Sequence, residues 1–369
     1  MATARIPESS RAVVFDPRDR SLSLRELPMR PLRDAEVLVR VRLSAICGSD
    51  LHTIRGRRDP GGPLVLGHEI VGEVAALGEG VQTDCLGAPL SVGDRLTWSI
   101  ATTCGRCFFC TRGIPQKCVR LFKFGHQPID GETPLSGGFA EYCYLVPGTA
   151  YYRVPDDIPD RIAVFANCSL ATMQAAVRMA EVRPGDSVLV QGAGLVGLCA
   201  MALSAHRGAR PIVASDPTEE RLGQAAVFGA SHMTGPEETD GDLVAQLRAV
   251  TADERGFDVA IEACGAPQVV PQAIEALRIG GRYVVAGCVF PQATAEIDMH
   301  PVTTKLLTVQ GVHNYTPLDL QEALRFLSVG QQRFAFDSVV REVLALEEIE
   351  AALALMESDP SILRVALSP

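Results

Sequence analysis

Four cysteines lie within the fifteen residues of CGRCFFCTRGIPQKC, at Cys104, Cys107, Cys110 and Cys118. A disulfide framework, a redox pair and a metal site would each leave such a pattern. Short C-x-x-C gaps let one loop wrap around a tetrahedral ion, and four thiolates complete the coordination of zinc. A full set of protein ligands leaves no position for a substrate, so the spacing predicts a structural zinc site.

Three dispersed residues are candidate ligands for a second metal ion: Cys47 in ICGSDLH, His68 in LGHEIVGEV and Cys168 in ANCSLAT. A catalytic zinc has three protein ligands and one open position, and those ligands can lie far apart in the sequence. Each residue alone also has a structural interpretation, because a lone buried cysteine usually acts as a small apolar residue. Their presence in the same chain as the four-cysteine loop favours the metal site.

A glycine fingerprint follows a predicted strand in the second half of the chain. The strand SVLVQ leads into GAGLVG, in which Gly192, Gly194 and Gly197 flank Leu195 and Val196, and a helix pattern comes next. These glycines permit a tight turn, close approach to a pyrophosphate and tight packing of helix on strand. The phosphates then meet the helix N-terminus, so the segment predicts a dinucleotide site.

An acidic residue at the end of the next strand indicates which dinucleotide is preferred. Asp216 follows PIVAS, where a carboxylate can bind both ribose hydroxyls and repel a 2′-phosphate. NAD(H) is therefore predicted over NADP(H). Arg221 is the counterargument, because an arginine nearby could soften this discrimination.

Strand and helix signals alternate around the fingerprint. GFDVAIEACGA and GGRYVVAGCVF are apolar strands with a helical segment between them. Such alternation predicts a parallel sheet covered by helices on both faces. The first 155 residues instead contain short strands with frequent glycine and proline, which predicts a separate β-rich domain.

Composition limits the functional classes. The formal charge of −10 and the absence of a basic run argue against nucleic acid as a partner. No signal peptide or membrane-spanning segment is expected, so the protein is predicted to be cytoplasmic. A reducing compartment disfavours disulfides. The remaining cysteines are expected to be reduced and mostly buried: Cys85, Cys143, Cys199, Cys264 and Cys288.

The order CGSDLH, GHE, C-x2-C-x2-C-x7-C, NCSLAT and the glycine fingerprint resembles the zinc-dependent alcohol dehydrogenases of the medium-chain dehydrogenase/reductase family. The resemblance covers nearly the whole chain. It implies that Cys47, His68 and Cys168 bind a catalytic zinc with Glu69 nearby, and that Asp50 orients the ligand histidine. It also implies a proton relay from Ser49 to His52. Further implied cofactor contacts are Thr172, Arg221 and Arg364, although a solvated terminal charge is an alternative interpretation of Arg364.

The resemblance also implies the architecture. We expect a GroES-like, partly barrel-like β domain at residues 1–160, completed by 300–369 and holding both zinc ions. A Rossmann NAD-binding domain is expected at 161–299, in an α/β fold with a doubly wound parallel sheet. A homodimer or homotetramer is expected as well.

The substrate is less well indicated. Trp98, Ile100 and the segment 122–126 could line the substrate pocket or belong to the core. Arg55, Arg57 and Arg58 could bind an anionic substrate or be solvated. AGCVFP and GVHNYTPLDLQEALRFL resemble a subgroup associated with phosphonate catabolism, which implies a phosphonate-bearing alcohol or aldehyde.

Other activities remain open. Polyol or amino-alcohol oxidation is an alternative within the family. A zinc-free reductase of activated double bonds and a non-catalytic binding protein are alternatives of other classes, which the retained metal ligands and relay residues disfavour.

Overall fold

A computed structural model describes residues 6–235 and 243–369 of the chain. The strands are β1 (Ser9–Asp16), β2 (Ser21–Pro28), β3 (Val37–Ala45), β4 (Leu64–Val65), β5 (Glu69–Leu77), β6 (Arg95–Trp98), β7 (Ala101–Thr102), β8 (Phe122–Lys123), β9 (Tyr142–Leu145), β10 (Tyr151–Arg153), β11 (Val188–Gln191), β12 (Ile212–Ser215), β13 (His232–Thr234), β14 (Phe257–Glu262), β15 (Leu277–Val285), β16 (Thr308–Gly311), β17 (Val340–Ala345) and β18 (Arg364–Ser368).

The α-helices are α1 (Gly48–Ile54), α2 (Asp160–Ala163), α3 (Ala171–Met179), α4 (Leu195–His206), α5 (Glu219–Ala225), α6 (Leu243–Ala249), α7 (Val270–Ala276), α8 (Met299–Thr304), α9 (Pro317–Gly330) and α10 (Ile349–Ser358). The chain divides into two compact units. The first comprises the residues up to Cys168 with Thr316–Ser328 and Phe336–Pro369, and the second comprises Ser169–Tyr315 with Val329–Ala335. The first unit extends past the expected boundary at 160. The C-terminal part of the first unit is expected to begin at residue 300, but it begins at Thr316, because β16 still pairs with β15 in the second unit's sheet.

The first unit is built on a mostly antiparallel sheet in the order β10-β6-β5-β3-β18-β17, with β9 also pairing with β3. β3 lies at its centre because its sequence VLVRVRLSA buries side chains on both faces at most positions. Smaller sheets, β2-β1-β4 and β7-β8, complete this GroES-like domain. Two strands of its main sheet, β17 and β18, come from the C-terminal segment.

The second unit is a six-stranded parallel sheet in the order β13-β12-β11-β14-β15-β16. This is the doubly wound Rossmann order, in which the strand sequence reverses between β11 and β14. The strands predicted from SVLVQ, PIVAS, GFDVAIEACGA and GGRYVVAGCVF are β11, β12, β14 and β15. The expected fold class is confirmed for both units.

One helical stretch among the described residues meets the length and composition criteria for a membrane-spanning segment. Asp160–Met179 is long and apolar enough to cross a bilayer by length and composition, and 78% of its apolar window is buried in the protein. Such burial is typical of a core helix, whose apolar side chains pack against protein. All eleven cysteines lie in the described residues and are free thiols. The expected burial is wrong for Cys85 and Cys264, which are exposed.

A buried asparagine joins three segments of the first unit. Asn167 lies in a π-helical turn, Ala166–Leu170, and its side-chain amide donates to the carbonyl oxygens of His68 and Trp98, each at 3.0 Å. Its Oδ1 accepts from the backbone N–H of Ile70 at 3.4 Å. The sequence contains no signal for these bonds, because their partners are distant in the chain. The turn is thereby held against the start of β5 and the end of β6.

Replacing Asn167 should therefore weaken the first unit. Asn167→Ala leaves two buried carbonyl groups without a donor, and each costs about 1–3 kcal/mol. We expect a lower urea midpoint and loss of zinc during gel filtration. Gln310→Ala removes an amide from exposed positions of β16 and should change neither quantity. An Asn167→Ala protein as stable as the wild type would contradict this role.

Candidate active site

The register of β3 brings two candidate ligands together. Ala45 pairs with Glu69 of β5, so Cys47, two residues beyond Ala45, lies beside His68, which immediately precedes β5. Cys47 also caps α1, and its N–H donates to Asp50 Oδ2 at 2.9 Å. The main sheet and the first turn of a helix thus place both residues, and both are buried.

Cys168 completes the cluster from the π-helical turn. The sulfur atoms of Cys47 and Cys168 and a ring nitrogen of His68 all lie within 4.8 Å of one another. Two thiols and an imidazole at such separations can bind one zinc ion and leave a fourth position open. π-Helical turns are often found at functional sites. The three dispersed candidates from the sequence do meet in the fold.

Asp50 lies behind the histidine of this cluster. His68 Nδ1 is 3.2 Å from Asp50 Oδ1, although the two atoms are not aligned as a hydrogen bond. Burial lowers the pKa of His68, but Asp50 and Cys47 outweigh burial and raise the pKa to about 10. The surroundings therefore favour positive charge at this position, and a zinc dication fits them.

The two thiols of the cluster shift each other's pKa in opposite directions. Their mutual hydrogen bond lowers the pKa of Cys47, against burial, and Arg364 and His68 lower it further. The same hydrogen bond, together with burial, raises the pKa of Cys168. Since zinc binds thiolates, occupancy of the cluster should be coupled to proton release.

Glu69 and Arg364 form a buried ion pair beside Cys47. Arg364 Nε and Nη2 donate to the two carboxylate oxygens of Glu69 at 2.7 and 2.8 Å, and Nη2 also lies 3.6 Å from Cys47 Sγ. Burial lowers the pKa of Arg364, but Glu69 and Cys47 raise it above its usual value. Arg364 is thus not a solvated terminal charge. Its expected contact with the cofactor stays a prediction.

The two relay candidates lie on α1. Ser49 Oγ is 3.2 Å from His68 Nε2, and His52 follows three residues later on the same helical face. Arg57 Nη1 is 3.3 Å from His52 Nδ1. Since a guanidinium only donates, His52 Nδ1 is the acceptor of this hydrogen bond. Burial lowers the pKa of His52, and Arg57 and Arg55 lower it further, so the ring is neutral near pH 7.

The four cysteines of the opening motif also converge. Their sulfur atoms lie within 4.8 Å of one another, between β7 and β8. Backbone N–H groups of Cys110 and Val119 lower the pKa of Cys107 to about 6, toward the thiolate that zinc binds. Cys118 Sγ accepts from the N–H groups of Cys104 and Arg120, each at 3.3 Å. The cluster fits a closed zinc site.

The residues that the sequence offered as walls of the substrate pocket differ in their surroundings. Trp98 and Phe124 are fully buried and meet edge to face, 6.0 Å apart, so they belong to the core. Ile100 is also buried. His126, in contrast, lies with its ring centroid 5.2 Å from that of His68.

The glycine fingerprint adopts the predicted strand–turn–helix form. Gly192 has a φ of +106°, which favours glycine, and a Cβ on Gly197 would clash with the carbonyl oxygen of Gly192. Gly194 caps α4, whose first turn contains Leu195 and Val196. The turn therefore presents the N-terminus of a helix at the reversal point of the sheet, where dinucleotides bind.

A cavity of about 370 Å³ lies at this edge of the second unit. Its walls include Gly192, Ser215, Asp216, Arg221, Thr234, Cys264, Gln268 and Gln272. Asp216 is held there by two backbone bonds: Oδ2 accepts from Ala193 at 2.7 Å and Oδ1 from Thr218 at 2.8 Å. Thr172 lies in α3 and is not among the cavity residues.

Comparison with known proteins agrees with this geometry. Residues 33–156 match the alcohol dehydrogenase GroES-like domain, and residues 196–329 match the zinc-binding dehydrogenase domain. The chain is 30% identical over 335 residues to 5-exo-hydroxycamphor dehydrogenase of Pseudomonas putida, covering 90% of this chain and 92% of that protein. It is 31% identical over 293 residues to L-threonine 3-dehydrogenase of Aeromonas salmonicida, covering 78% and 79% of the two chains.

A solved structure extends the similarity to the whole fold. An alcohol dehydrogenase from Thermotoga maritima superposes with a TM-score of 0.90 at 28% identity, covering 98% of this chain and 99% of that one. The phosphonate-associated subgroup is not indicated by these relatives. The chain belongs to the zinc-type alcohol dehydrogenases of the medium-chain dehydrogenase/reductase family, oxidoreductases that act on CH–OH groups with zinc and a nicotinamide cofactor.

Proposed function

We propose that this chain interconverts an alcohol and its aldehyde or ketone with NAD(H), at a zinc ion held by Cys47, His68 and Cys168. The observation that carries the proposal is the convergence of these three ligand atoms within 4.8 Å in a buried cluster. A zinc-free reductase of activated double bonds does not require such a donor set.

Zinc supplies a Lewis acid that lowers the pKa of an alcohol hydroxyl, and the nicotinamide ring supplies the hydride acceptor. Residues of the chain then carry the proton away from the substrate hydroxyl. Ser49 Oγ, placed beside His68, passes the substrate proton along α1 to His52, whose neutral ring accepts it. Asp50 places a carboxylate 3.2 Å from His68 Nδ1, and Arg364 holds the Glu69 carboxylate beside Cys47.

We propose a second, structural zinc at Cys104, Cys107, Cys110 and Cys118, giving two zinc ions per chain. The closed set of four sulfur donors supports this role, because it leaves no site for substrate.

The preference for NAD(H) over NADP(H) is proposed from Asp216. Its buried carboxylate lies in the wall of the cavity beside the glycine turn, where it would repel a 2′-phosphate. Arg221 is in the same wall, and we propose that it contacts the adenosine ribose rather than a 2′-phosphate. Thr172 and Arg364 are proposed as further contacts of the cofactor.

Amino alcohols and polyols form a second candidate substrate class, supported by the similarity to L-threonine 3-dehydrogenase. A phosphonate-bearing alcohol stays a third, from the sequence alone. The direct experiment is NAD⁺-linked turnover across simple secondary alcohols, polyols, amino alcohols and hydroxyalkylphosphonates. Absence of turnover with every alcohol would contradict the proposal.

We also propose a homo-oligomer, as a dimer or tetramer, located in the cytoplasm. β16 supports the oligomer, because it is an edge strand whose four residues are all exposed. The free state of all eleven cysteines is consistent with a reducing compartment.

Metal analysis combined with turnover tests the two zinc sites. Cys47→Ala should retain one zinc per chain and lose at least about 1,000-fold in kcat, because the lost Lewis acid contributes several kcal/mol. Cys110→Ser should also lose one zinc, but it should mainly lower the Tm. Cys85→Ser alters an exposed thiol outside both clusters and should keep two zinc ions and full activity. Full turnover by Cys47→Ala would refute the catalytic assignment.

Removal of the Asp216 carboxylate should relax the choice of cofactor. Asp216→Ala should reduce the ratio of kcat/KM for NAD⁺ over NADP⁺ by about 10- to 100-fold, since juxtaposed like charges cost several kcal/mol. Glu220→Ala removes an exposed carboxylate from the neighbouring helix and serves as the control. An unchanged ratio in Asp216→Ala would move the selectivity to Arg221.

The pH profile of alcohol oxidation tests the relay. His52 must be neutral to accept a proton, so activity should persist above its lowered pKa and fall at more acidic pH. Arg57→Gln removes one positive charge that lowers this pKa. The acidic limb of kcat/KM should therefore shift to higher pH. Arg325→Gln, an exposed arginine on α9 paired with Glu322, should leave the limb in place.

His52→Gln provides the complementary test. It should abolish the same limb, because no group with this pKa would remain in the relay. A limb that stays at its wild-type pH in both Arg57→Gln and His52→Gln would exclude His52 as the proton acceptor.

A further inference from the structure

A buried glutamate lies at the carboxyl end of β14 in the second unit. Glu262 is the last residue of this strand, and its side chain is fully buried. A carboxylate without water needs hydrogen-bond donors in the protein. Four backbone N–H groups donate to it, at distances from 2.5 to 3.1 Å: those of Cys264, Gly265, Gly287 and Cys288.

These N–H groups belong to two different loops. Cys264 and Gly265 lie in the loop that follows β14, and both donate to Oε1 of Glu262, at 2.8 and 2.5 Å. Gly287 and Cys288 lie in the loop that follows β15, and both donate to Oε2, at 2.7 and 3.1 Å. Since β14 and β15 are neighbouring parallel strands, one carboxylate joins the two loops at the same edge of the sheet.

The two loops also touch at glycine positions. A Cβ added to Gly287 would clash with Gly265 N and lie 2.5 Å from Glu262 Oε1. Gly265 has a φ of +73°, and a Cβ there would lie 2.9 Å from Gly287 O. Both contacts therefore require glycine. The loops pack backbone against backbone around the carboxylate.

The loop after β14 is part of the wall of the dinucleotide cavity. Cys264, Ala266, Gln268 and Val269 line this cavity together with Gly192 of the glycine fingerprint. A Cβ added to Gly192 would lie 2.9 Å from Cys264 Cβ, so the glycine turn and the loop are in contact. The position of the loop therefore sets the width of the cavity beside the glycine turn.

Glu262 acts on this wall from behind, because it is not among the residues that line the cavity. Several backbone N–H groups directed at one point form a site that attracts an anion, and each of them is costly to bury without an acceptor. If the carboxylate were removed, only water could satisfy these groups, which requires the two loops to move apart. Such a movement would displace the cavity wall at Cys264.

We propose that Glu262 is a positioning residue for the nicotinamide cofactor. By binding both loops, its carboxylate holds the wall formed by residues 264–269 at the separation from Gly192 at which a dinucleotide fits. This inference rests on the proposed function, because it concerns the cofactor of that same reaction. It predicts an effect on cofactor binding rather than on hydride transfer.

Calorimetric titration of the zinc-loaded enzyme with NADH and NADPH tests the role without turnover. The cofactor that the wild type binds more tightly serves as the probe. Glu262→Gln keeps the shape of the side chain, but its amide group can only donate and faces the N–H groups of one loop. The Kd of the probe should rise at least about 10-fold. In turnover, KM for the oxidised cofactor should rise similarly, while kcat changes less than about threefold.

Asp258 provides the matched control, because it is the other buried carboxylate of β14. It lies near the amino end of the strand, accepts from the backbone N and the Oγ of Ser187 at 2.8 Å each, and pairs with Arg278. Among the described residues, the cavity wall includes none of these three. Asp258→Asn should therefore lower the Tm and leave the Kd of the probe unchanged.

Gly287→Ala gives a second variant that retains the carboxylate. Its Cβ would press on Glu262 Oε1 and on the neighbouring loop, so the Kd of the probe should rise in this variant too. A misfolded fraction does not imitate this result. It lowers the number of cofactor molecules bound per chain, whereas the Kd describes only the folded protein.

Two results would overturn the inference. The first is a wild-type Kd in both Glu262→Gln and Gly287→Ala. The second is an equal loss of affinity in Asp258→Asn, which would mean that any weakening of β14 impairs binding. A wild type that binds the cofactor but oxidises no alcohol would instead contradict the proposed function, and the Kd values would still decide the role of Glu262.

Discussion

The register of β3 between β5 and β18 is the constraint on which the reactive centre depends. Ala45 pairs with Glu69 on one side and with Ala366 on the other, so Cys47, His68 and Arg364 reach the same end of the sheet. A slip of one residue would turn every side chain of β3 to the opposite face. The apolar residues that fix this register therefore also determine the separation of the metal ligands.

The sequence predicted the parts of the site that are local in the chain. The spacing of Cys104–Cys118 and the fingerprint at Gly192–Gly197 each describe one loop, and loop geometry follows from residue type at short range. Cys47, His68 and Cys168 could be named as candidate ligands from residue type, and the family resemblance added their role, but no local pattern shows that they meet in the fold. The bonds of Asn167 and the pairing of Arg364 with Glu69 depend on strand register across the fold, which no local pattern encodes.

Charge is distributed very unevenly in this acidic protein. The chain has a formal charge of −10, yet Arg364, Arg58 and Lys123 are all at least partly buried around one metal cluster. Arg364 is matched by Glu69, whereas Asp50 supports the ligand His68. Cations that are buried or half-buried are thus concentrated in one part of an otherwise acidic protein.

The four-cysteine loop is an insertion within a hairpin, because β7 and β8, which precede and follow it, pair with each other. Thr102 lies opposite Phe122, so the two ends of the insertion are already adjacent. The four-cysteine loop could therefore be shortened, exchanged or removed, and β7 and β8 would still pair at its base. A change in the length of the loop would therefore leave its two ends adjacent.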